Sequence, residues 1–295
     1  MRRLALAAAL AFAAPVAAQE AAPPADAEIV ITGRPVEDQI RGFVEAFTRV
    51  HGQRQLSRFE WSVCPAALGL SPAAAKAVVT RIRRVAKEAE VPLGKPDCTA
   101  NVLLMVTKDK KALLDVIQRK YPQFLGEMPN SEVRRLARAP GPAAAWRVEG
   151  PPLDVDGVEI PQEGGAGGGV RVNRTVRNPS RITPAARPHL IGAVVIVEKA
   201  ALDGLTTIQL ADYAAMRAFA PTDPAKLPPS SPPTILTALE APMGTPVPLT
   251  MTKWDLAFLK GLYGSPAGLY AGAQRSAIRK EMLGELQPAE EKTER

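Results

Sequence analysis

Residues 190–220 read LIGAVVIVEKAALDGLTTIQLADYAAMRAFA, and they contain the two elements on which the fold depends. The run Ile191–Val197 is rich in β-branched residues and predicts a buried strand. The stretch from Leu205 to Ala220 has helical spacing, and its apolar face is formed by Leu205, Ile208, Ala215 and Phe219. One acid, Asp212, lies in the middle of that face. Its role is the main question that the sequence raises.

Helical and extended patterns alternate along the rest of the chain. The segments with helical spacing are 36–50, 70–90, 109–121, 249–264 and 269–286, and those with an extended pattern are Phe59–Val63 and 101–107. Ser71 and Pro72 are the residue types that favour the start of a helix. A helix between two strands joins them in parallel. The pattern therefore predicts an α/β (α+β) fold with a mixed sheet, crossover helices, a core helix and C-terminal helices.

Residues 139–188 interrupt this regularity because they are rich in proline and glycine. Such a stretch predicts a long excursion that contains a hairpin or a flexible loop. The glycine-rich run at 164–169 lacks the Lys-Ser/Thr pair and the following helix of a phosphate-binding loop. We therefore predict one domain over 36–286, with the excursion inside it, and a charged tail at 287–295.

The N-terminus has the three-part layout of a secretory signal peptide. Arg2 and Arg3 precede an apolar run, and small residues follow it up to Ala18. The run is shorter than the ~20 residues that cross a membrane. We expect removal of residues 1–18 and no stable membrane insertion of the mature chain. The prediction is a periplasmic or secreted protein that begins with a flexible leader at 19–35.

The leader contains the segment EIVITGRP at 28–35. This segment resembles the TonB box that opens many TonB-dependent receptors, and the resemblance implies contact with a TonB-type partner. The chain has neither the length nor the repeated alternating strands of a receptor barrel. We interpret the segment as an exposed arm, and an envelope accessory protein is the corresponding alternative function.

The chain is moderately basic, with a formal net charge of +7 over 295 residues. The basic residues concentrate in two helical-looking stretches, RIRRVAKEAE and EVRRLARA. Such charges can attract an acidic partner, for example nucleic acid. They have no set of aromatic residues beside them on which bases would stack. We therefore interpret them as solvated helix faces and predict no nucleic-acid partner.

Cys64 and Cys98 are the two cysteines of the chain. An even pair in an exported protein favours a disulfide bond. A metal-binding or redox pair would be expected to have CxxC spacing, which these residues lack. We predict that Cys64 and Cys98 are bonded to each other.

The last third of the chain resembles a metzincin metalloprotease, and the chain is similar to exported alphaproteobacterial proteins with a metzincin-like fold. In a metzincin, a core strand leads to a helix with the motif HExxHxxG, then to a Ser-Ile-Met turn and a helix that often ends in Leu-Tyr-Gly. The corresponding segments are LADYAAMRAFA, the turn TIL at Thr234–Leu236, and a helix that ends at Gly264. Met243 is a second candidate for the methionine of the turn. The resemblance covers residues 36–286.

The zinc-binding motif itself is absent. The comparison puts Ala211 and Ala215 at the two histidine positions and Asp212 at the position of the general base. Alanine cannot bind zinc. The two histidines of the chain, His51 and His189, lie in unrelated segments, and we interpret them as surface or capping residues. The degenerate motif predicts no catalytic residue, no metal and no cofactor.

Two interpretations of Asp212 remain open. It forms a structural hydrogen bond in a buried helix, or it belongs to a remnant cleft that binds a peptide or small ligand. A buried carboxylate needs donors or a proton, and we hypothesise that Asp212 holds the turn after the helix. The sequence favours an exported, non-catalytic binding or structural protein, a metzincin-like pseudoenzyme, with a protein or peptide of the cell envelope as its partner. A hydrolase or peptidase with an unrecognised active site is the alternative enzyme.

Overall fold

The computed structural model of the chain describes residues 35–48, 55–164, 169–175, 180–181, 183–228, 230–242 and 244–287. The predicted signal peptide, nearly all of the predicted leader, and the tail from 288 onward lie outside these residues. His51 and Met243 also lie outside them. Within the described segments, no helix is both long enough and apolar enough to cross a membrane.

Seven α-helices and six β-strands occur in the described residues. The helices are α1 (Val36–Thr48), α2 (Pro72–Glu88), α3 (Lys110–Lys120), α4 (Asn130–Arg138), α5 (Thr207–Phe219), α6 (Lys253–Gly264) and α7 (Ala271–Leu286). The strands are β1 (Pro65–Leu68), β2 (Val102–Thr107), β3 (Ala143–Glu149), β4 (Gln162–Glu163), β5 (Val170–Arg171) and β6 (Leu190–Glu198). The predicted α/β fold with a mixed sheet is confirmed.

The main sheet has the strand order β1–β2–β6–β3. β1, β2 and β6 are parallel, and α2 is the crossover between β1 and β2. β3 pairs with β6 in the antiparallel direction and forms one edge of the sheet. In the part of the chain that the structure describes, no strand lies beside the other long side of β3. β4 and β5 form a separate hairpin inside the predicted excursion.

Helices cover both faces of the sheet, which explains why its central strand β6 is a nearly continuous apolar run. On one face, Leu104 and Val195 belong to a large core that also contains apolar residues of α1, α2, α5, α6 and α7. On the other face, Leu103 and Ile196 pack in a smaller core with residues of α3 and α4. Alternate residues of each strand thus face different cores.

α5 is the most deeply buried helix of the larger core. Every residue from Gln209 to Phe219 is buried, and α2 and the 3-10 helix Ile235–Leu239 pack against it. Thr206 and Gln209 form a capping box that starts the helix. Ile208, which the sequence places in the apolar stripe, is 46% exposed because it lies in the first turn, outside the packed part of the helix.

Two sequence-based expectations about strands are wrong. The alternating segment Phe59–Val63 forms only isolated bridges, and the strand of this region is β1, a few residues later. The excursion at 139–188 contains β3 as well as the expected hairpin. Three of the seven residues of β3 are alanines with low strand propensity, so its sequence carries little strand signal. β3 forms because β6 offers a long partner and because Trp146 and Val148 fill the smaller core.

Candidate functional site

The helix positions that the sequence comparison aligned with the metzincin motif lie inside the core. Ala211, Ala215 and Ala218 are completely shielded from solvent. Their small side chains allow α5 to approach its neighbours closely. Among the described residues, no group of three or more histidine, cysteine, aspartate or glutamate side chains is arranged to hold a metal ion.

Asp212 is fully buried, and its carboxylate accepts hydrogen bonds from three residues. Arg81 on α2 donates from Nε to Oδ1 at 2.6 Å and from Nη2 to Oδ2 at 2.9 Å. The Thr250 hydroxyl and the Met251 N–H donate to Oδ2 at 2.8 and 2.7 Å. The hydrogen bond to Asp212 raises the pKa of Arg81 above its usual value. Asp212 therefore ties α5 to α2 and to the segment just before α6.

A different acid, Asp255, holds the turn that the sequence compares with the metzincin turn. The Thr234 hydroxyl donates to Asp255 Oδ1 at 2.5 Å, and the Ile235 N–H donates to Oδ2 at 2.8 Å. Asp255 also forms a capping box with Thr252 at the start of α6. Burial raises the pKa of Asp255, although these hydrogen bonds oppose the rise. The pattern T-x-x-D at 252–255 is a sequence signal for the capping box. No sequence signal indicates the hydrogen bonds from the turn to Asp255.

The predicted disulfide between Cys64 and Cys98 is confirmed. It joins the segment before β1 to the segment before β2, and so it links the N-terminal ends of these two parallel strands. No described cysteine is free.

His189 is fully buried, so its interpretation as a surface or capping residue is wrong. Its ring stacks edge-on against Trp61, with 4.5 Å between the ring centres. Burial lowers the pKa of His189, and Glu159, 4.0 Å away, opposes this shift. Neither ring nitrogen has a hydrogen-bond partner in the described part of the chain.

A groove of about 860 Å³ lies beside the open edge of β3. We call it the β3 groove. Its lining comes from β3, from α4 with Ala139 and Pro140, and from the C-terminal end of α5 with the loop Pro221–Ala225. Asp212 does not line the β3 groove. The basic stretch EVRRLARA, interpreted from the sequence as a solvated face, forms the α4 side of this groove.

The backbone of β3 presents unused hydrogen-bonding groups to this groove. The Glu198 N–H donates to the Pro142 carbonyl at 2.8 Å. In an antiparallel pair only every second residue bonds to the neighbouring strand, so this bond shows which residues of β3 bond to β6 and which do not. The backbone groups of Ala143, Ala145 and Arg147 consequently point away from β6. Among the described residues, no other hydrogen bond engages them. Such an edge is a template for a further strand.

Two arginines lie where β3 meets the end of α5. Arg147 donates from Nη1 to the carbonyls of Arg217 and Ala220 at 3.2 and 3.0 Å, and so it caps the helix. Burial, and next the charge of Arg217, lower the pKa of Arg147 to about 10. Arg217 itself is only 9% exposed.

The guanidinium of Arg217 is incompletely bonded. Its Nη1 donates to the Tyr213 hydroxyl at 3.4 Å, and its central carbon lies 5.8 Å from the centre of the Tyr213 ring. Its Nε has no hydrogen-bond partner among the described residues. A buried donor without a partner costs about 1–3 kcal/mol. The Arg217 Nε–H is therefore suited to donate a hydrogen bond to an acceptor atom of a ligand.

Compared with models of protein families, with curated proteins and with solved structures, the chain has no significant match. Its candidate site is therefore interpreted from its own residues. Sequence reasoning missed the β3 groove because it predicted neither β3 nor the pairing of Arg147 with the end of α5. The one available signal was Arg217, a charged residue in a helix whose neighbours are small and apolar.

Proposed function

We propose that the protein is a non-catalytic, metzincin-like binding protein that captures an extended polypeptide segment along the open edge of β3. The observation that carries this proposal is the row of unused backbone groups at Ala143, Ala145 and Arg147, which line a groove. A bound strand would pair with each outward N–H and C=O. The groove beside it leaves room for side chains of that strand.

The order of elements supports the metzincin-like part of the proposal. The core strand β6 leads into α5, and the turn at Thr234–Leu236 and then α6 follow. The 3-10 helix that contains this turn packs against α5. α5 has alanine at the two positions that the comparison assigns to zinc ligands. The carboxylate of Asp212 on α5 already accepts a hydrogen bond from Arg81. These features support binding in preference to zinc-dependent hydrolysis.

Export to the periplasm or beyond the cell is the second part of the proposal. It is supported by the signal-like N-terminus and by the disulfide between Cys64 and Cys98, since disulfides persist in oxidising compartments. A protein or peptide of the cell envelope is the corresponding class of partner.

A selection experiment tests the binding function. A pool of random amidated peptides of about ten residues, long enough to pair with a strand, is passed over the immobilised protein. Retained peptides are labelled and titrated by fluorescence polarisation against wild type, Ala145→Pro and Ala145→Ser. Proline removes the outward N–H of Ala145 but is tolerated at such positions of edge strands, whereas serine keeps the N–H.

We expect Ala145→Pro to weaken binding at least about tenfold, through loss of a hydrogen bond and a clash with the added strand. Ala145→Ser should bind like wild type. Retention of no peptide, or equal binding by wild type and Ala145→Pro, would overturn the proposed site. Cleavage of the retained peptides in mass spectrometry, or stoichiometric zinc in the purified protein, would overturn the non-catalytic function.

A further inference from the structure

We infer that the ligand of the β3 groove carries a carboxylate that binds Arg217, with Arg147 supporting the site electrostatically. This inference rests on the proposed function and specifies the chemistry of its ligand. It starts from the incomplete bonding of Arg217, whose Nε has no partner among the described residues although the side chain is nine-tenths buried. Arg217 lines the β3 groove.

None of the described acids around the groove bonds directly to this arginine, although the charge of Glu240 acts on it from nearby. No carboxylate of the described residues forms an ion pair with Arg217 or Arg147. The four acids that line the groove have other partners: Glu132 binds Arg135, Glu149 binds Ser57, Asp223 lies 3.7 Å from Lys226, and Glu240 accepts a hydrogen bond from Tyr213 at 3.3 Å. The two guanidinium groups of Arg147 and Arg217 therefore lie in one region, and no described carboxylate there balances their positive charge by direct contact.

The end of α5 gives partial compensation. Its carbonyls carry the negative end of the helix dipole, equivalent to roughly half an elementary charge, and Arg147 binds two of them. The carbonyl charge is smaller than the two positive charges beside it, and the nearby acids Glu240 and Asp223 act on the two arginines without bonding to them. An anionic ligand would supply further negative charge beside the two arginines, and it would also accept a hydrogen bond from the Arg217 Nε.

The same groove has a positive rim. Arg134 and Arg138 on α4 are exposed and line it. The lining contains five arginines and four carboxylates, so an acidic segment would be attracted towards the groove before it binds. A carboxylate on a peptide can be a Glu or Asp side chain or the C-terminal group, and both offer the planar acceptor that suits a guanidinium.

Three matched peptides test this inference. Each is an acetylated segment of about eight residues of alternating valine and threonine. The first has a central glutamate and an amidated C-terminus, the second has glutamine instead, and the third is the glutamine peptide with a free C-terminal carboxylate. Dissociation constants are measured for wild type, Arg217→Gln, Arg217→Lys, Ala145→Pro and, as a control outside the groove, Arg84→Gln on α2.

We expect wild type to bind at least one carboxylate peptide about tenfold more tightly than the amidated glutamine peptide. The preferred peptide identifies the source of the carboxylate. Arg217→Gln should reduce that preference to about twofold or less, Arg217→Lys should retain part of it, and Arg84→Gln should leave it unchanged because Arg84 does not line the groove. The preference in wild type needs no variant, so it stays informative if Arg217→Gln fails to fold.

Other outcomes separate the two proposals. Equal binding of all three peptides to wild type, with loss of all three in Ala145→Pro, would overturn the carboxylate site and leave the strand-binding function. Binding of no peptide would overturn both. Peptide binding that occurs only after deletion of residues 19–34 would mean that the leader of the chain fills the groove, which would overturn the proposal of an external ligand.

Discussion

The ion pair between Arg81 and Asp212 makes a sharp prediction about what holds α5 in place. Arg81→Ala would leave a carboxylate with no solvent exposure and only the donors from Thr250 and Met251. Removal of one partner of a buried pair typically costs 3–5 kcal/mol, because the other charge stays buried without compensation. We therefore expect Arg81→Ala to lower the free energy of unfolding by about 3–5 kcal/mol.

The reverse substitution should cost less. In Asp212→Ala the Arg81 side chain, 19% exposed, can turn towards water. Thr250 is exposed, so its hydroxyl can also be hydrated. The Met251 N–H then remains as the main unsatisfied donor, which costs about 1–3 kcal/mol. The double variant should cost little more than Asp212→Ala alone, since the charge that makes the loss of Arg81 expensive is gone.

Urea denaturation followed by far-UV circular dichroism measures all three variants. Arg84→Ala is the control, because Arg84 is an exposed arginine on the same helix, and it should change the free energy of unfolding by less than about 0.5 kcal/mol. The reasoning is refuted if Arg81→Ala costs less than about 1 kcal/mol, or if the costs of the two single substitutions add in the double variant.

Three further predictions concern other regions. Loss of the Cys64–Cys98 bridge in the double serine variant should lower the free energy of unfolding by about 3.5–4 kcal/mol, because the bridge spans 34 residues; an unchanged urea midpoint would contradict this. Burial lowers the pKa of His189 below its usual value of 6.5. The contribution of neutral His189 to the free energy of unfolding should therefore be fully present above pH 6.5 and should be lost as the pH falls through the folded pKa. His189→Gln should show a smaller decline in acid-dependent melting experiments. Gly69→Ala should lower the melting temperature, because Gly69 has φ +79° and a Cβ would lie 2.0 Å from the Val106 carbonyl oxygen.

Much of the fold follows from local sequence signals. The spacing of apolar residues predicts the helices that became α1, α2, α3, α6 and α7, and Ser71 accepts the capping hydrogen bond that its residue type suggests. The β-branched run predicts β6, and the helical stretch 70–90 before the extended run 101–107 predicts a parallel crossover, although the strand that pairs with β2 is β1 and not Phe59–Val63. These elements are predictable because each one's own residues match its period and its termini.

The strands at both edges of the sheet are less predictable. The segment Phe59–Val63 alternates like a strand, but its Trp61 side chain is 46% exposed and its contacts are single bridges. β3 has the opposite character, since its alanines give a weak signal while its neighbour β6 stabilises it. Alternation describes one chain segment alone, whereas an edge strand depends on the partner that it finds.

The candidate site was hidden for the same reason. Arg147 and Arg217 are 70 residues apart in the chain, and no local pattern connects them. The antiparallel pairing of β3 brings Arg147 to the end of α5, where it meets the carbonyl of Arg217. Sequence reasoning concentrated on Asp212 because it is an acid in the apolar face of the predicted helix. It could not determine whether a donor from another helix already occupied that acid.

The two charged residues of α5 lead to opposite conclusions about function. Asp212 is buried and receives hydrogen bonds from Arg81, Thr250 and Met251, so a ligand could bind it only by displacing existing bonds. Arg217 is also buried, but its Nε has no partner in the described residues, and it lines a groove. Buried polar groups are normally paired, and an exception at a groove favours a ligand. Asp212 therefore supports the fold, and the arginine near the end of the same helix is where we expect recognition.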